Sequence, residues 1–389
     1  MTAYRIDLVP LERFFFGGEN TFGEKNSENY YVRSNYYPQQ TTLLGTLRYL
    51  LLKSADGLMD KDGKIIDGKE GTANGLIGIN SFDTSNHSDG YGKIKKLSPV
   101  FVTGPDGDYL AQSREFALNW IEDEISGKQR QGIVPLKYRK QKGQSFLAGN
   151  KNFIPYLEGL KAKTVFPHIL LNLSNKQMRY SDFSIALRGN PMTGIFIEEE
   201  QIGINKKEKE NGFYKQVGFR MLDGYGFGFY AEFVEGFNKI QSKTIKMGAD
   251  KSWFNVSVAP IKNNDSTYEL FMNQKPTNIF QYPNSPSGKI VLLSDTYIER
   301  DFFNRNIDFA LAGTYIFKYL QTNRRGIGKK FKNEKAKFYM DKSTQNYELL
   351  KKGSVLFVDY ARKEKILKEI TGNGNTAAAF HQVGYNYAI

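Results

Sequence analysis

The chain has 389 residues, 40% hydrophobic and 14% aromatic, enough apolar mass for one large domain or two of ordinary size. Its 54 lysines and arginines exceed its 41 acidic residues by 13, a balance that favours a polyanionic partner, either nucleic acid or an anionic membrane surface. It contains no cysteine and only three histidines, His87, His168 and His381, which excludes disulfides and cysteine-ligated metals and disfavours a histidine-rich metal site.

In chain order, the opening MTAYRIDLVP lacks the basic and apolar regions of a signal peptide, and no apolar run reaches the ~18 residues of a membrane-crossing helix. The expectation is a cytoplasmic protein. Tyr4–Val9 alternates as a strand, and a loop rich in Gly and aromatic residues follows. Thr41–Lys53 reads as a helix, capped by Thr41 or Thr42 after Pro38. Leu43, Leu47, Leu50 and Leu51 share one face of it, and it should stop near Gly57. Residues 56–92 read as a long surface excursion, Ile94–Val102 as a strand, and residues 123–163 as a second insertion. Gly194–Ile197 and Gln201–Ile204 are strand candidates. Tyr214–Met221 and Gly226–Phe233 are expected to form a hairpin around Asp223-Gly224, followed by a strand at Trp253–Val258.

The stretch 260–288, rich in Asn, Pro and Ser, marks a domain boundary, giving units 1–260 and 285–389. In the second unit Lys289–Leu293 is a strand, Phe309–Tyr319 a strand or helix, and Gly353–Tyr360 a strand. Lys363–Ile370 is a short helix, and a last strand is expected near Phe380–Tyr387. No repeat at a fixed period is present, which disfavours solenoids and propellers. The fold class expected is α+β, as two ferredoxin-like (RRM-like) domains of the βαββαβ kind with long loop insertions.

Two basic clusters stand out. Residues 128–142 carry Lys128, Arg130, Lys137, Arg139, Lys140 and Lys142 with no acidic residue. Residues 318–337 carry Lys318, Arg324, Arg325, Lys329, Lys330, Lys332, Lys335 and Lys337 against Glu334 alone. Both interleave Tyr or Phe, so cations could neutralise phosphates while aromatic faces stack unpaired bases. A solvated basic loop is the plainer alternative. RRGIGKK resembles a P-loop, but Asn323 stands where its first glycine belongs and no hydroxyl residue follows Lys329. The pairs Asp60/Asp62 and Asp106/Asp108 lack further carboxylates at metal-loop spacing, so no metal and no cofactor are expected. His168 sits in an apolar stretch and reads as structural. His381 is the single attractive general base for RNA cleavage, and His87 sits in a loop.

Five segments in order resemble the RAMP superfamily of CRISPR effector proteins, most of all the type III-B (Cmr) subunit that binds the 5′ handle of the guide RNA. PLERFFFGGENTFG and YYPQQTTLLGTLRYLLL carry the family's Phe-Gly turn and Thr-led G-x-L-R helix at Phe16, Gly17, Gly18, Pro38, Thr41, Thr42, Gly45, Leu47 and Arg48. Ile202, Gly203, Ile204, Gly212 and Tyr214 look like its "I-G-I … G-x-Y" hairpin. IKMGADKSWFNVSV stands where the family has a Gly-Gly-Glu-type loop; Gly248 matches, while Ala249 and Asp250 depart from it. Gly353, Ser354 and Val355 resemble its G-S-V strand, and Gly384, Tyr385 and Asn386 its closing motif.

The resemblance implies a non-catalytic subunit of an antiviral effector. It would hold the crRNA 5′ handle beside the large polymerase-like subunit and the backbone RAMP subunit, and meet target RNA only indirectly. The RNA-binding residues so implied are Gly17, Gly18, Arg33, Gln40, Thr41, Thr42, Arg48, Lys137, Arg139, Lys140, Met247, Gly248, Ala249, Lys251, Arg324, Arg325, Lys329 and His381. Glycines would let backbone amides approach phosphates, the threonines would open a helix N-terminus to an anion, and the cations would neutralise phosphates or stack on bases. Arg48 has a structural alternative as a pair partner on its helix. Two other readings compete: a RAMP-type endoribonuclease maturing guide RNA through His381, and the handle-binding subunit of another type III complex. A peripheral membrane role lacks a basic amphipathic helix to support it.

Overall fold

A computed structural model of the chain describes residues 2–17, 20–21, 29–61, 63–79, 81–84, 91–122, 129–140, 147–148, 151–156, 168–180, 195–205, 212–234, 242–248, 251–261, 264–275, 278–282, 287–323, 339–342, 345–373 and 375–389. Alternation in Thr2–Pro10 sends Ile6 and Leu8 to one side and Arg5 and Asp7 to the other. This strand lies inside a nine-stranded antiparallel sheet. Its order is Met178–Tyr180, Ile169–Asn172, Gly107–Ala111, Phe101–Gly104, Gly226–Phe233, Thr2–Pro10, Ser252–Pro260 and Lys243–Met247. Ile94–Leu97 pairs along the same edge of Gly226–Phe233 as Phe101–Gly104 does. The expected single strand is therefore broken at Ser98-Pro99, because proline brings no N–H to the ladder. The Ser98 hydroxyl accepts from the Tyr230 N–H at 2.8 Å and bridges the break.

Gly226–Phe233 is covered on both faces. Phe227, Phe229 and Phe233 pack with Ile6, Leu8 and the leucines of the helix Gln40–Ser54. Tyr230 faces the other way, toward Phe101, Phe271, Val291, Phe357 and Tyr387. The helix forms where the leucine spacing predicts, and Leu43, Leu47, Leu50 and Leu51 are buried. Its cap differs: Gln39 precedes the first turn without a side-chain cap bond, and Thr41 and Thr42 lie within that turn. On the second face of the sheet, Arg5 grips Asp108 through two nitrogens at 2.7 and 2.9 Å, and the Thr267 hydroxyl donates to the same carboxylate.

A second sheet runs Phe196–Asn205, Gly212–Met221, Asn29–Arg33, Asn20–Thr21. Two expectations are corrected here. Phe196–Asn205 is one strand rather than two. Asp223-Gly224 does turn the chain, with Gly224 at φ +81°, yet the flanking strands do not pair with each other. Gly212–Met221 bonds to Phe196–Asn205 and, in parallel, to Asn29–Arg33, while Gly226–Phe233 bonds to Thr2–Pro10. The turn carries the chain from one sheet to the other.

Both supposed excursions contain ordered elements. Within 56–92 a helix spans Glu70–Ile77, and Leu58, Ala73, Ile77, Phe82 and Tyr91 are buried. Within 123–163, Gln129–Pro135 pairs with Phe116–Glu122, and Lys137–Lys140 with Lys151–Tyr156. The boundary stretch carries the helix Ser266–Phe271, capped by the Asp265 carboxylate accepting from the Thr267 and Tyr268 amides.

Beyond it stand two three-stranded antiparallel sheets, Lys289–Val291 with Val355–Phe357 and Phe309–Leu311, and Thr296–Tyr297 with Tyr347–Leu350 and Thr314–Phe317. Phe309–Tyr319 thus resolves as strands, and Lys363–Lys368 is helical as expected. The expected last strand is instead the helix Asn375–Gln382, since a run of three alanines favours helix over sheet. The fold class is α+β.

After that helix the segment Gly384–Ile389 runs between the two halves. Gln40 Nε2 donates to the Gly384 carbonyl at 3.1 Å and the Tyr387 hydroxyl to the Leu97 carbonyl at 3.0 Å. Val291 and Ile389 exchange backbone bonds of 2.9 and 3.1 Å. Asn386, at φ +58°, is fully buried, and its amide serves Tyr297 and the Ile370 carbonyl.

A buried ion pair also crosses from one half to the other. Lys289 Nζ meets Glu115 Oε2 at 3.0 Å and donates to the Phe280 carbonyl, while Glu115 accepts from the Tyr138 and Ser113 hydroxyls. Removing one partner strands the other charge, so Glu115→Ala should lower unfolding stability by about 3–5 kcal/mol. Joint replacement by methionine at 115 and 289 should recover part of that loss, as read by urea denaturation.

Candidate nucleic-acid interface

Two left-handed glycine turns meet at one end of the large sheet. Gly17 has φ +71° and Gly248 φ +74°. A Cβ on Gly248 would lie 2.9 Å from the Phe15 carbonyl, so the two turns touch and position 248 admits no side chain without a shift. The Gly248 turn closes the hairpin between Lys243–Met247 and Ser252–Pro260. It includes Lys251, itself at φ +56° and exposed. The Gly17 turn is held from the other side: Phe16 N–H donates to Ser34 Oγ at 2.9 Å, and Asn35 N–H to the Gly17 carbonyl at 2.7 Å.

An aromatic floor supports both turns. Phe16 stacks on Phe254 with centroids 5.8 Å apart, Phe14 packs against Phe219, Phe227 and Phe254, and Tyr36 stacks on Phe219 at 4.6 Å. Such a packed base fixes the backbone amides above it without spending a charged side chain. Arg33 closes the strand Asn29–Arg33 at the rim. Its guanidinium lies over Tyr36 and Phe219 at 5.5 and 5.4 Å, bonds the Tyr36 hydroxyl and pairs with Glu198. Beside Trp253, Lys246 places its ammonium 4.5 Å from the indole, and Trp253 is 41% exposed on this end of the hairpin. The arrangement offers backbone N–H groups in tight turns, cations at the edge and aromatic faces alongside, which suits a phosphate chain with unstacked bases.

The sequence-derived residues divide three ways. Gly17, Gly248, Lys251 and Arg33 come together as described. Several others serve packing. Met247 is only 3% exposed, and Gln40 is buried with its amide on Gly384. The Tyr385 hydroxyl faces the backbone of Gln40 and Thr41, so the helix start lies under the closing segment. Arg48 donates to the Gly78 carbonyl at 3.1 Å, at the end of the helix Glu70–Ile77, where a cation completes orphan carbonyls. Burial pushes its guanidinium below the ordinary value.

His381 is stacked on Tyr387 with centroids 4.2 Å apart, and its Nδ1 lies 3.1 Å from the Asn386 carbonyl. Lys137 is exposed on the strand Lys137–Lys140, which also holds Arg139 and Lys140, apart from the two turns in sequence and sheet. Gly18, Ala249, Arg324, Arg325 and Lys329 lie outside the described residues. Sequence reasoning passed over Ser34 and Tyr36, which hold the Gly17 turn. Their signal, a serine and paired tyrosines just before a proline, is too common to single out. Among the described residues no group of carboxylates and histidines could hold a metal, and no helix is long and apolar enough to cross a membrane.

Comparison with known proteins adds the following. The sequence model of the CRISPR-associated protein (Cas_Cmr3) family matches residues 6–389. No curated protein matches the chain. Among solved structures, a chain of the type III-B Cmr-beta complex bound to cognate target RNA is similar, at 12% identity and TM-score 0.47, over 99% of this chain and 96% of that one. The same complex with AMPPnP gives 12% and 0.46 over the same shares. A chain of the Csm3-Csm4 subcomplex of the type III-A interference complex gives 10% and 0.36, over 92% of this chain and 93% of that one.

Both described histidines are held neutral by burial. His381 is pushed down from 6.5 to about 4, with Lys96 adding to the effect. His168, beside Tyr36, falls to about 3, lowered further by Arg114, Lys351, Lys352 and Arg33. Below pH 6.5 the unfolded chain takes up protons at these positions that the folded chain refuses, so stability falls as pH falls toward about 4. His381→Gln should flatten that decline between pH 6.5 and 4 in pH-dependent urea melts, while stability above pH 7 keeps its pH dependence unchanged.

Proposed function

Because the chain belongs to the CRISPR-associated protein (Cas_Cmr3) family, we propose that it is the subunit of a type III-B effector complex that holds the 5′ handle of the guide RNA. The observation that carries this reading is the contact of the Gly17 and Gly248 turns, flanked by Arg33 and Lys251 and seated on an aromatic floor. RNA would lie with its phosphates against turn amides and cations and its bases against aromatic faces.

The same proposal makes the subunit a non-catalytic, cytoplasmic one, docked to the large polymerase-like subunit and a backbone RAMP subunit. His381 supports this over the endoribonuclease alternative, since its ring is committed to Tyr387 and the Asn386 carbonyl. A ferredoxin-like core for residues 1–260 is part of the proposal. Ser252–Pro260, Thr2–Pro10, Gly226–Phe233 and the broken run from Ile94 to Gly104 stand side by side in the fourth, first, third, second order of that fold. Gln40–Ser54 fills the first crossover, and the strand Lys243–Met247 occupies the connection where a second helix would be expected. A second such unit over 285–389 follows from the sequence pattern.

The test is binding of the purified full chain to a synthetic single-stranded RNA bearing the repeat-derived handle, against a scrambled handle of equal length, across a potassium chloride series. The handle RNA should bind more tightly. Lys251→Glu should weaken binding and reduce the slope of log K on log salt by about 0.7 for each phosphate that is no longer neutralised. Equal binding of the two RNAs at every salt concentration, unaltered by Lys251→Glu, would count against the reading.

A further inference from the structure

Just beyond Arg33 the segment Tyr36–Tyr37 faces cations that no sequence pattern groups together. Lys352 is 9% exposed, and its ammonium stands 3.5 Å above the Tyr37 ring. Lys351 N–H donates to the Gly313 carbonyl at 2.7 Å. Gly313 also abuts Arg114, because a Cβ there would lie 2.8 Å from the guanidinium. Arg114 N–H in turn donates to the Gly353 carbonyl at 2.8 Å, tying both cationic stretches into one knot. His168 joins the knot through Tyr36, with ring centroids 5.0 Å apart, and next to it the Ile169 carbonyl accepts from Gln112 N–H.

The charges in this knot are not balanced. Among the described residues, Arg114, Lys351 and Lys352 have no carboxylate at ion-pair distance. The nearest acid, Asp295, spends its oxygens on the Tyr315 hydroxyl at 3.1 Å and the Lys352 backbone N–H at 2.8 Å. Arg114 Nε and the Tyr37 hydroxyl are buried without a hydrogen-bond partner. Burial pushes Lys352 down to about 8 and Arg114 below its ordinary value, opposed in each case by Asp295 alone. Buried donors without acceptors are rare in folded proteins because each carries its full desolvation cost. An anion that supplies several acceptor oxygens at once would satisfy the whole set.

We infer that Arg114, Lys351 and Lys352, with Arg33 at the rim, form a site for one phosphodiester of a single-stranded RNA. This inference rests on the RNA-binding reading above. A planar guanidinium and two ammonium groups match the oxygens of a phosphate. The half-buried rings of Tyr36 and Tyr315 stand beside the cations as faces for flanking bases. Ser34 and Asn35 bond the Gly17 turn, so the knot continues the same track along the chain from the two glycine turns. An acidic peptide would satisfy the cations but would leave those ring faces unused.

The test uses the full chain and the handle RNA, with one linkage at a time replaced by a neutral methylphosphonate. For the unaltered protein, one replaced linkage should weaken binding more than its neighbours. In Lys352→Met and in Arg114→Gln that same replacement should no longer matter, and each variant should lower the salt slope by about 0.7. Lys352→Met keeps an apolar stem on Tyr37 and removes an unpaired buried charge, so its melting temperature should equal or exceed that of the parent, separating loss of the site from loss of the fold. Lys352→Arg should retain the linkage effect.

If the parent binds the handle RNA while both neutral variants keep its affinity and salt slope, the site is overturned and the RNA-binding reading stands. Binding of polyglutamate that both neutral variants abolish, with RNA binding unaltered, would overturn it in favour of an acidic peptide. A parent chain that binds no RNA removes the reading and the site together.

Discussion

Gly384, Asn386 and Tyr387 form the closing contact on which the other parts of the molecule depend. A Cβ at position 384 would lie 2.4 Å from the Ser98 carbonyl, and the residue has φ +97°, so only glycine lets the chain pass between helix and sheet. From there Asn386 replaces three would-be backbone partners with one side chain, and Tyr387 bonds the sheet at Leu97 while its own backbone pairs with the Leu293 region. The helix start, the broken strand at Ser98 and the strands of residues 289–297 are all fixed by this one segment. Tyr37 and Lys352 face each other because the two halves are clamped here. The cation knot is a consequence of that clamp.

Charge is handled in two ways in this protein. Where an ion pair crosses the interior for structure, it is fully matched: Arg5 has both oxygens of Asp108, and Lys289 has Glu115 together with a carbonyl. Around Tyr37 the match is incomplete: Lys352 stands over the ring with no carboxylate at ion-pair distance among the described residues, and Arg114 Nε is buried without a hydrogen-bond partner. Isolated buried charge is costly, so a group of cations left without a matching carboxylate suits an anion that arrives from outside. The Gly17 and Gly248 turns follow the same logic with neutral groups, since their geometry exposes backbone without a side chain in the way.

Much of the frame was legible from local pattern. Alternation located Thr2–Pro10, and leucine spacing located Gln40–Ser54, because both signals arise from burial on one face. The glycine motifs at 17, 248 and 384 were visible as motifs, and each proves to sit at a positive φ. What local pattern could not supply is partner choice. The turn at Asp223-Gly224 is written in the sequence, but whether its arms pair is decided by the sheets around them. The helix Glu70–Ile77 escaped notice because EGTANGLI offers only Ala73 and Ile77 to the core. The expected strand near Phe380–Tyr387 rests on its aromatics, whereas the Ala377–Ala379 run before them favours helix and does form one. Arg114 and Lys352 are scattered cations in sequence, and only the clamp makes them neighbours.

The clamp also has a kinetic side. The bond from Gln40 to Gly384 joins residues 344 apart, and that from Leu97 to Tyr387 joins residues 290 apart. Closing loops of that length is entropically uphill until many other contacts are in place, so these bonds belong to the last stage of folding. Until then Phe317, Tyr319, Tyr347 and Phe380, which end up in the same apolar cluster as Ile6 and Leu47, have no surface to cover them. A chain halted before that closure would present these rings as a large apolar face, prone to aggregation and open to cover by a chaperone or an early-binding partner.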